Sequence, residues 1–171
     1  MSTTPTRPDL LPGDLLCYRG TGFFSRLIRI KSWSELSHVE CYFGCNVSGA
    51  SRDGEGVGSY PLRLDGLYYV LRPVPPVDLA AARLWHETVK GQRYDWKGIL
   101  VFTLAVKQGA TDKMFCSEYA TRFYRAGRCE PFQPGFDADR VAPGTFLTSG
   151  AFRIVWAHPE ARYQAELREA V

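Results

Sequence analysis

Cys116 has the residue type and the position of a nucleophile. It opens the stretch "CSEYATRFYRAG", in which aromatic residues recur every four positions and a glycine follows. This pattern predicts a helix with Cys116 in its first turn. Unpaired backbone N–H groups and the helix macrodipole would stabilise a thiolate there, and the same N–H groups would stabilise an oxyanion. The alternative is a structural cysteine, because most cysteines pack in cores as small apolar residues.

His38 is the candidate base for that thiol. It begins the strand-like stretch "HVECYFG", and alternation along a strand places His38, Glu40 and Tyr42 on one face. A cysteine nucleophile requires a histidine within hydrogen-bond reach and a third polar group that holds the imidazole. A histidine at the start of a strand is also compatible with a structural or solvated position, so its role depends on whether the fold brings it to Cys116.

A metal site is the rival interpretation of the same residues. His38, Cys41 and Cys45 have the spacing H-x2-C-x3-C, which lacks the paired C-x2-C pattern of zinc sites. Alternation also turns His38 and Cys41 to opposite faces. We therefore expect no metal and no cofactor. The cysteines are odd in number and have no disulfide-framework spacing, which predicts free thiols: Cys17, Cys41, Cys45, Cys116 and Cys129.

Length and composition predict one domain. A chain of 171 residues with 45% hydrophobic residues buries a sizeable core, which we place at residues 11–171 after a loose lead-in at residues 1–10. The net charge of +3 comes from dispersed residues, so nucleic acid is not an expected partner. No stretch approaches the roughly 18 apolar residues of a membrane span, and no signal peptide is recognisable. We expect a cytoplasmic protein without integral membrane association.

The remaining elements predict an α+β fold. Strands are expected from about Asp14 to Tyr18, on both sides of the turn in "NVSGASRDGEGVGSYPL", in "LYYVLRPVP" and in "AFRIVWA". Helices are expected in "GFFSRLIRIKSW" and from Leu79 to about Lys90, capped by Asp78. The stretch "YDWKGILVFTLAV" predicts a buried helix or inner wall. The sum is an antiparallel sheet packed against helices.

The order of these signals resembles a known family. "PGDLL", "SHVECYFG", "ASRDGEGVGSYPLR", "YDW" and "FCSEYATRFYRAG" follow one another as in the circularly permuted papain-like cysteine hydrolases of the NlpC superfamily, relatives of the lecithin:retinol acyltransferase group. In these proteins the histidine strand precedes the cysteine helix, and here His38 comes 78 positions before Cys116. The resemblance covers roughly residues 12–156 and implies a papain-like fold.

The resemblance also implies roles for single residues. Cys116 would be the nucleophile and His38 the general base. The third member of the family's catalytic set lies about a dozen residues after the histidine, where Ser51 and Asp53 are nearest, while Glu40 shares the face of His38. These three alternatives stay open.

Two further residues are candidates for contact with the substrate. Tyr18, at the end of the first predicted strand, would offer its hydroxyl to the oxyanion. Arg52, beside Asp53, would bind a substrate carboxylate.

The expected reaction is hydrolysis of an amide bond, in a peptidoglycan peptide or an N-acyl amide, through a Cys116 acyl-enzyme. An esterase, thioesterase or acyltransferase acting on lipids is an alternative, and an inactive papain-like binding or virion-associated protein is another. The resemblance extends to phage-encoded members.

Overall fold

The fold is a six-stranded antiparallel sheet with helices packed on it. The computed structural model describes residues 8–20, 26, 29–30, 33–94 and 114–163. The strand order is β4-β3-β2-β1-β5-β6, with the following bounds: β1 Leu15–Tyr18, β2 His38–Gly44, β3 Val47–Arg52, β4 Gly56–Pro61, β5 Leu67–Pro73 and β6 Phe152–Ala157. The helices are α1 Leu79–Val89 and α2 Cys116–Ala126, followed by 3-10 turns at Ala138–Arg140 and Pro143–Thr148.

These elements confirm the predicted α+β class and an antiparallel sheet covered by helices. Asp78 caps α1 by accepting a hydrogen bond from the Ala81 amide at 3.0 Å, and α2 begins at Cys116 and ends before Gly127. Most of the helix predicted in residues 22–33, the apolar stretch after Tyr94 and residues 1–7 of the lead-in lie outside the described residues. Among the residues that are described, no helix is both long and apolar enough to cross a membrane.

The two faces of the sheet bury different clusters. Side chains of β2 at Val39 and Cys41 pack with Tyr119 and Phe123 of α2 in the main core, because alternate strand residues share a face. A smaller cluster forms separately and contains Leu16, Tyr18, Tyr42, Leu67 and Val70. Tyr42 and Glu40 lie two residues apart on β2, so Glu40 belongs to the face that turns away from α2.

Helix α2 also lies close to β3. A Cβ atom at Gly49 would collide with the ring of Phe43 and the hydroxyl of Tyr119. The absence of a side chain at Gly49 therefore sets the distance between α2 and the sheet.

Candidate active site

The start of α2 is fixed on both sides of Cys116. Ser51 on β3 donates a hydrogen bond to the Met114 carbonyl at 2.5 Å, and Ser117 donates to the Val141 carbonyl at 2.5 Å. Both hydroxyls are buried, and Cys116 is 2% exposed. The thiol thus lies at a helix N-terminus whose backbone is tied to the sheet before it and to the following loop after it.

His38 contacts both the thiol and a carboxylate. The ring Nε2 lies 3.0 Å from Oε1 of Glu40, and the ring also contacts the Cys116 thiol. Because Nε2 faces the carboxylate, Nδ1 is the nitrogen left for the thiol. The imidazole is 17% exposed, so part of the ring faces solvent.

The pKa of His38 is raised by these two contacts. Burial by itself lowers it, but the charge and hydrogen bond of Cys116, followed by those of Glu40, raise it to about 9. A histidine with this pKa is protonated at neutral pH when an anion lies beside it.

Glu40 is a buried carboxylate with four polar partners. Its Oε1 accepts from His38 Nε2, from Arg52 Nε at 2.9 Å and from Arg63 Nη2 at 2.9 Å. Its Oε2 accepts from Ser48 Oγ at 2.5 Å and from Arg52 Nη2 at 3.1 Å. Burial raises the pKa of Glu40, but the hydrogen bonds of His38, Arg52 and Ser48 outweigh it and hold the pKa well below its usual range. Glu40 therefore stays ionised beside the imidazole.

The position of His38 at the first residue of β2 explains how it reaches both groups. The rest of β2 separates the α2 face from the Glu40 face, because residues 39 and 41 point one way and residues 40 and 42 the other. At the end of the strand one ring contacts the thiol of α2 and the carboxylate of the opposite face.

Of the three candidates for a third residue, Glu40 is the one beside His38. The Ser51 hydroxyl is used by the Met114 carbonyl, so Ser51 positions the entry to α2. Asp53 lies in the exposed turn after β3, where partial burial raises its pKa. The structure places neither Ser51 nor Asp53 in the His38 contact.

Tyr18 and Arg52 make other contacts than the sequence predicted. The Tyr18 hydroxyl donates to the Arg63 carbonyl at 3.0 Å, and its contact with an oxyanion stays a prediction. Arg52 donates hydrogen bonds from Nε and Nη2 to the Glu40 carboxylate. Its guanidinium carbon lies 4.1 Å from the centre of the Tyr60 ring. Arg52 is thus engaged with an internal carboxylate, and its contact with a substrate carboxylate stays a prediction.

Sequence reasoning did not single out Ser48 or Arg63. Ser48 lies eight residues after Glu40, on the neighbouring strand β3, and Arg63 follows β4. Arginines and serines of this kind are common on surfaces, and nothing in the local sequence marks these two. Only the pairing of β2, β3 and β4 places them next to the carboxylate.

No metal cluster forms within the part of the chain that the structure describes. That part contains no group of three or more His, Cys, Asp and Glu side chains arranged to hold a metal ion. The five cysteines are free thiols; Cys45 is exposed, while Cys17, Cys41, Cys116 and Cys129 are buried. Cys41 belongs to the α2 face and Cys45 to the turn after β2.

Comparison with known proteins identifies a similar sequence and a similar structure. The sequence matches no established protein-family profile. Over 106 residues the chain is 34% identical to the probable lipoprotein peptidase YaeF of Escherichia coli strain K12, a match that covers 57% of this chain and 37% of that protein. The chain thus spans a little over a third of the length of this curated relative.

The similar structure is the crystal structure of the metalloprotein yiiX from Escherichia coli O157:H7. It superposes with a TM-score of 0.63, covers 86% of this chain and 97% of that chain, and is 14% identical in sequence. At this level of identity the comparison establishes a shared fold.

Proposed function

We propose that this chain is a cysteine hydrolase that cleaves an amide bond, with Cys116 as nucleophile, His38 as general base and Glu40 as the residue that holds His38. One observation carries the proposal: the His38 imidazole contacts both a thiol at a helix N-terminus and a buried carboxylate. That combination is the nucleophile, base and orienting group that thiol catalysis requires.

The reaction follows from the positions of these groups. The Cys116 thiol gives its proton to His38, and the thiolate attacks the carbonyl carbon of the substrate. Backbone N–H groups at the start of α2 stabilise the oxyanion. The His38 imidazolium then gives its proton to the leaving amine, and an acyl-enzyme remains.

Water completes the turnover. His38 takes a proton from a water molecule, which attacks the thioester and releases a carboxylic acid and the free thiol. Glu40 stays ionised throughout, because its pKa is far below neutral, and it stabilises the imidazolium in both halves of the reaction.

The choice of an amide is supported by two independent points. The relative with 34% identity is named a probable lipoprotein peptidase, and peptidases cleave amides. The order of motifs, with the histidine strand before the cysteine helix, resembles the permuted papain-like enzymes of the NlpC superfamily. We extend the proposal to peptidoglycan peptides and N-acyl amides as substrate classes, with esters and thioesters as the competing bonds.

The first test is the reactivity of the five cysteines toward iodoacetamide across pH, followed by peptide mass spectrometry. A thiolate paired with imidazolium reacts well below the free-thiol pKa of about 8.5. At about pH 6 we expect Cys116 to react roughly ten-fold faster than the exposed Cys45, because part of the gain in thiolate is offset by lower nucleophilicity. The advantage should disappear in His38→Ala.

Cys17 is the matched internal control. It is buried beside Cys116, and burial together with the Cys116 charge raises its pKa, so it should remain unreactive in the folded protein. If Cys116 reacts no faster than Cys45 at any pH, or if His38→Ala leaves its rate unchanged, the hydrolase proposal is wrong and a binding protein with a papain-like fold replaces it. If Cys116 is alkylated fast, a screen of amides, esters and thioesters then identifies the bond that is cleaved.

A further inference from the structure

Arg52 by itself neutralises the charge of Glu40. Arg52 contacts both carboxylate oxygens, with Nε at 2.9 Å from Oε1 and Nη2 at 3.1 Å from Oε2. Its side chain is 12% exposed. A two-nitrogen contact of this kind is the strong and geometrically complete form of an arginine–carboxylate pair, so a second arginine is not needed for neutralisation.

Arg63 meets the same carboxylate in a different way. A single nitrogen, Nη2, lies 2.9 Å from Oε1 of Glu40, and the side chain is 48% exposed. The guanidinium carries five N–H donors on three nitrogens. Its Nε and Nη1 take no part in this contact.

Arg63 is held next to the base. Its carbonyl accepts the Tyr18 hydroxyl at 3.0 Å, and its guanidinium carbon lies 5.4 Å from the centre of the Tyr18 ring. The Tyr18 ring centre is in turn 5.9 Å from that of His38. Arg63 and His38 also share one oxygen of Glu40, so the guanidinium is positioned on the His38 side of the site.

The charges of the site do not cancel when the catalytic pair forms. The imidazolium of His38 and the two arginines are positive, whereas Glu40 and the Cys116 thiolate are negative, which leaves an excess of one positive charge. The excess lies where the charge is exposed, at Arg63. An exposed guanidinium that gives one of its five N–H groups to Glu40 keeps donors for a second carboxylate.

We propose that Arg63 binds an anionic group of the substrate, a carboxylate close to the scissile bond on the leaving-group side. This inference rests on the proposed cysteine hydrolase function. His38 must reach the leaving amine to protonate it, so the amine portion of the substrate lies beside His38. Arg63 occupies that same side, and the substrate class is therefore an amide whose amine portion carries a carboxylate.

The test compares two alkylating agents on Cys116. Iodoacetate and iodoacetamide react with a thiolate by the same displacement of iodide, and they differ by the negative charge that iodoacetate carries. Their rate ratio is insensitive to a change in the thiolate fraction, because both rates scale with it. The ratio is measured by mass spectrometry in the wild type and in Arg63→Gln.

We expect the iodoacetate to iodoacetamide ratio at Cys116 to fall about five-fold in Arg63→Gln at low ionic strength. Added salt should reduce the difference, and Arg63→Lys should retain part of the ratio because it keeps the charge without the planar fork. Arg128→Gln is the matched control: it removes the same charge from a side chain that is 83% exposed and that follows the far end of α2, about 15 Å from Cys116 along the helix axis. Its ratio should equal that of the wild type.

The outcomes separate the inference from the function on which it rests. If iodoacetamide labels Cys116 rapidly and Arg63→Gln leaves the ratio unchanged, the hydrolase proposal stands and the role of Arg63 is wrong. The same holds if Arg128→Gln lowers the ratio as much as Arg63→Gln, because the effect is then one of overall charge. If Cys116 is unreactive toward iodoacetamide in the wild type, the proposed function fails and the inference fails with it.

Discussion

A single imidazole lies between the Cys116 thiol and the buried Glu40 carboxylate in this protein. Burial disfavours the charged form of His38, and without neighbours it would be a neutral histidine at physiological pH. The Cys116 contact and the Glu40 contact reverse this and raise the pKa to about 9. Glu40 can act in this way because Arg52 and Ser48 keep it ionised, so the proton balance of the site depends on residues that never touch the thiol.

The protonation of His38 can be tested directly. We expect Cys116→Ala to lower the pKa of His38 from about 9 by more than about one unit, since the largest contribution that raises it comes from Cys116. An NMR titration of the His38 ring Cε1–H signal measures the change. Cys17→Ala removes a neighbouring buried thiol that does not raise the pKa of His38, and it should leave the titration unchanged.

The raised pKa of His38 predicts an upper pH limit for catalysis. Leaving-group departure requires the imidazolium, and a group with a pKa of about 9 loses its proton as the pH rises through 9. Hydrolysis should therefore decline above pH 9. A His38 pKa near its ordinary value in the wild type, or one that is the same in Cys116→Ala, would contradict the thiolate–imidazolium pair.

At the scale of elements, the contact between α2 and β3 sets the position of Cys116. Gly49 faces Cys41 across the β2–β3 pair and lies against Tyr119 and Phe43. Three residues further along the chain, Arg52 reaches Glu40 from the same strand. Strand β3 therefore supports the helix on one face and the carboxylate on the other.

Gly49→Ala tests this packing. The added methyl group would meet the Phe43 ring and the Tyr119 hydroxyl, so either the helix or the rings must move. We expect a loss of about 1–3 kcal/mol in the free energy of unfolding, measured by urea denaturation, together with slower alkylation of Cys116. Gly150→Ala is the control, because no atom lies within 4 Å of the position that its added methyl group would take. Equal stability of the two variants would show that β3 does not fix the distance between α2 and the sheet.

The sequence predicted the elements better than the contacts between them. Alternation in "HVECYFG" and four-residue spacing in "FCSEYATRFYRAG" are local patterns, and they correctly predicted β2 and α2. These patterns did not predict that Arg52 pairs with Glu40, because that contact depends on the turn between β2 and β3. Cys45 and Asn46 adopt positive φ angles of 51° and 59° there, and the register shifts between Tyr42 and Gly44. No local pattern specifies that shift.

The His38–Cys116 contact also lay beyond local patterns. The two residues are 78 positions apart, and only the resemblance to permuted papain-like enzymes connected them. Arg63 had no such guide, since it lies 23 positions from Glu40 in the segment after β4. Long-range ion pairs of this kind follow from strand order, which hydrophobic periodicity alone does not determine.

At the scale of the whole molecule, two buried titratable groups on the helices affect the pH dependence of stability in opposite directions. His86 on α1 is 1% exposed and hydrogen-bonds to Ser59 at 3.0 Å and Tyr119 at 2.8 Å; burial lowers its pKa. Glu118 on α2 lies 2.7 Å from Arg122. Burial raises the pKa of Glu118 to about 8, and the Asp139 carboxylate adds to the effect while Arg122 opposes it.

The signs of the two contributions predict how stability varies with pH. For His86 the unfolded chain binds more protons than the native protein, so stability is lost as the pH falls below about 6.5. For Glu118 the native protein keeps a proton up to about pH 8 that the unfolded chain releases near 4.5, so stability is lost as the pH rises between these values.

Urea unfolding of the wild type, His86→Gln and Glu118→Gln over this range separates the two contributions. Relative to the wild type, we expect stability to increase less with pH in His86→Gln and more in Glu118→Gln. The contribution of His38 is common to all three proteins and cancels in the differences. Three parallel curves would show that neither buried group changes its proton affinity on folding.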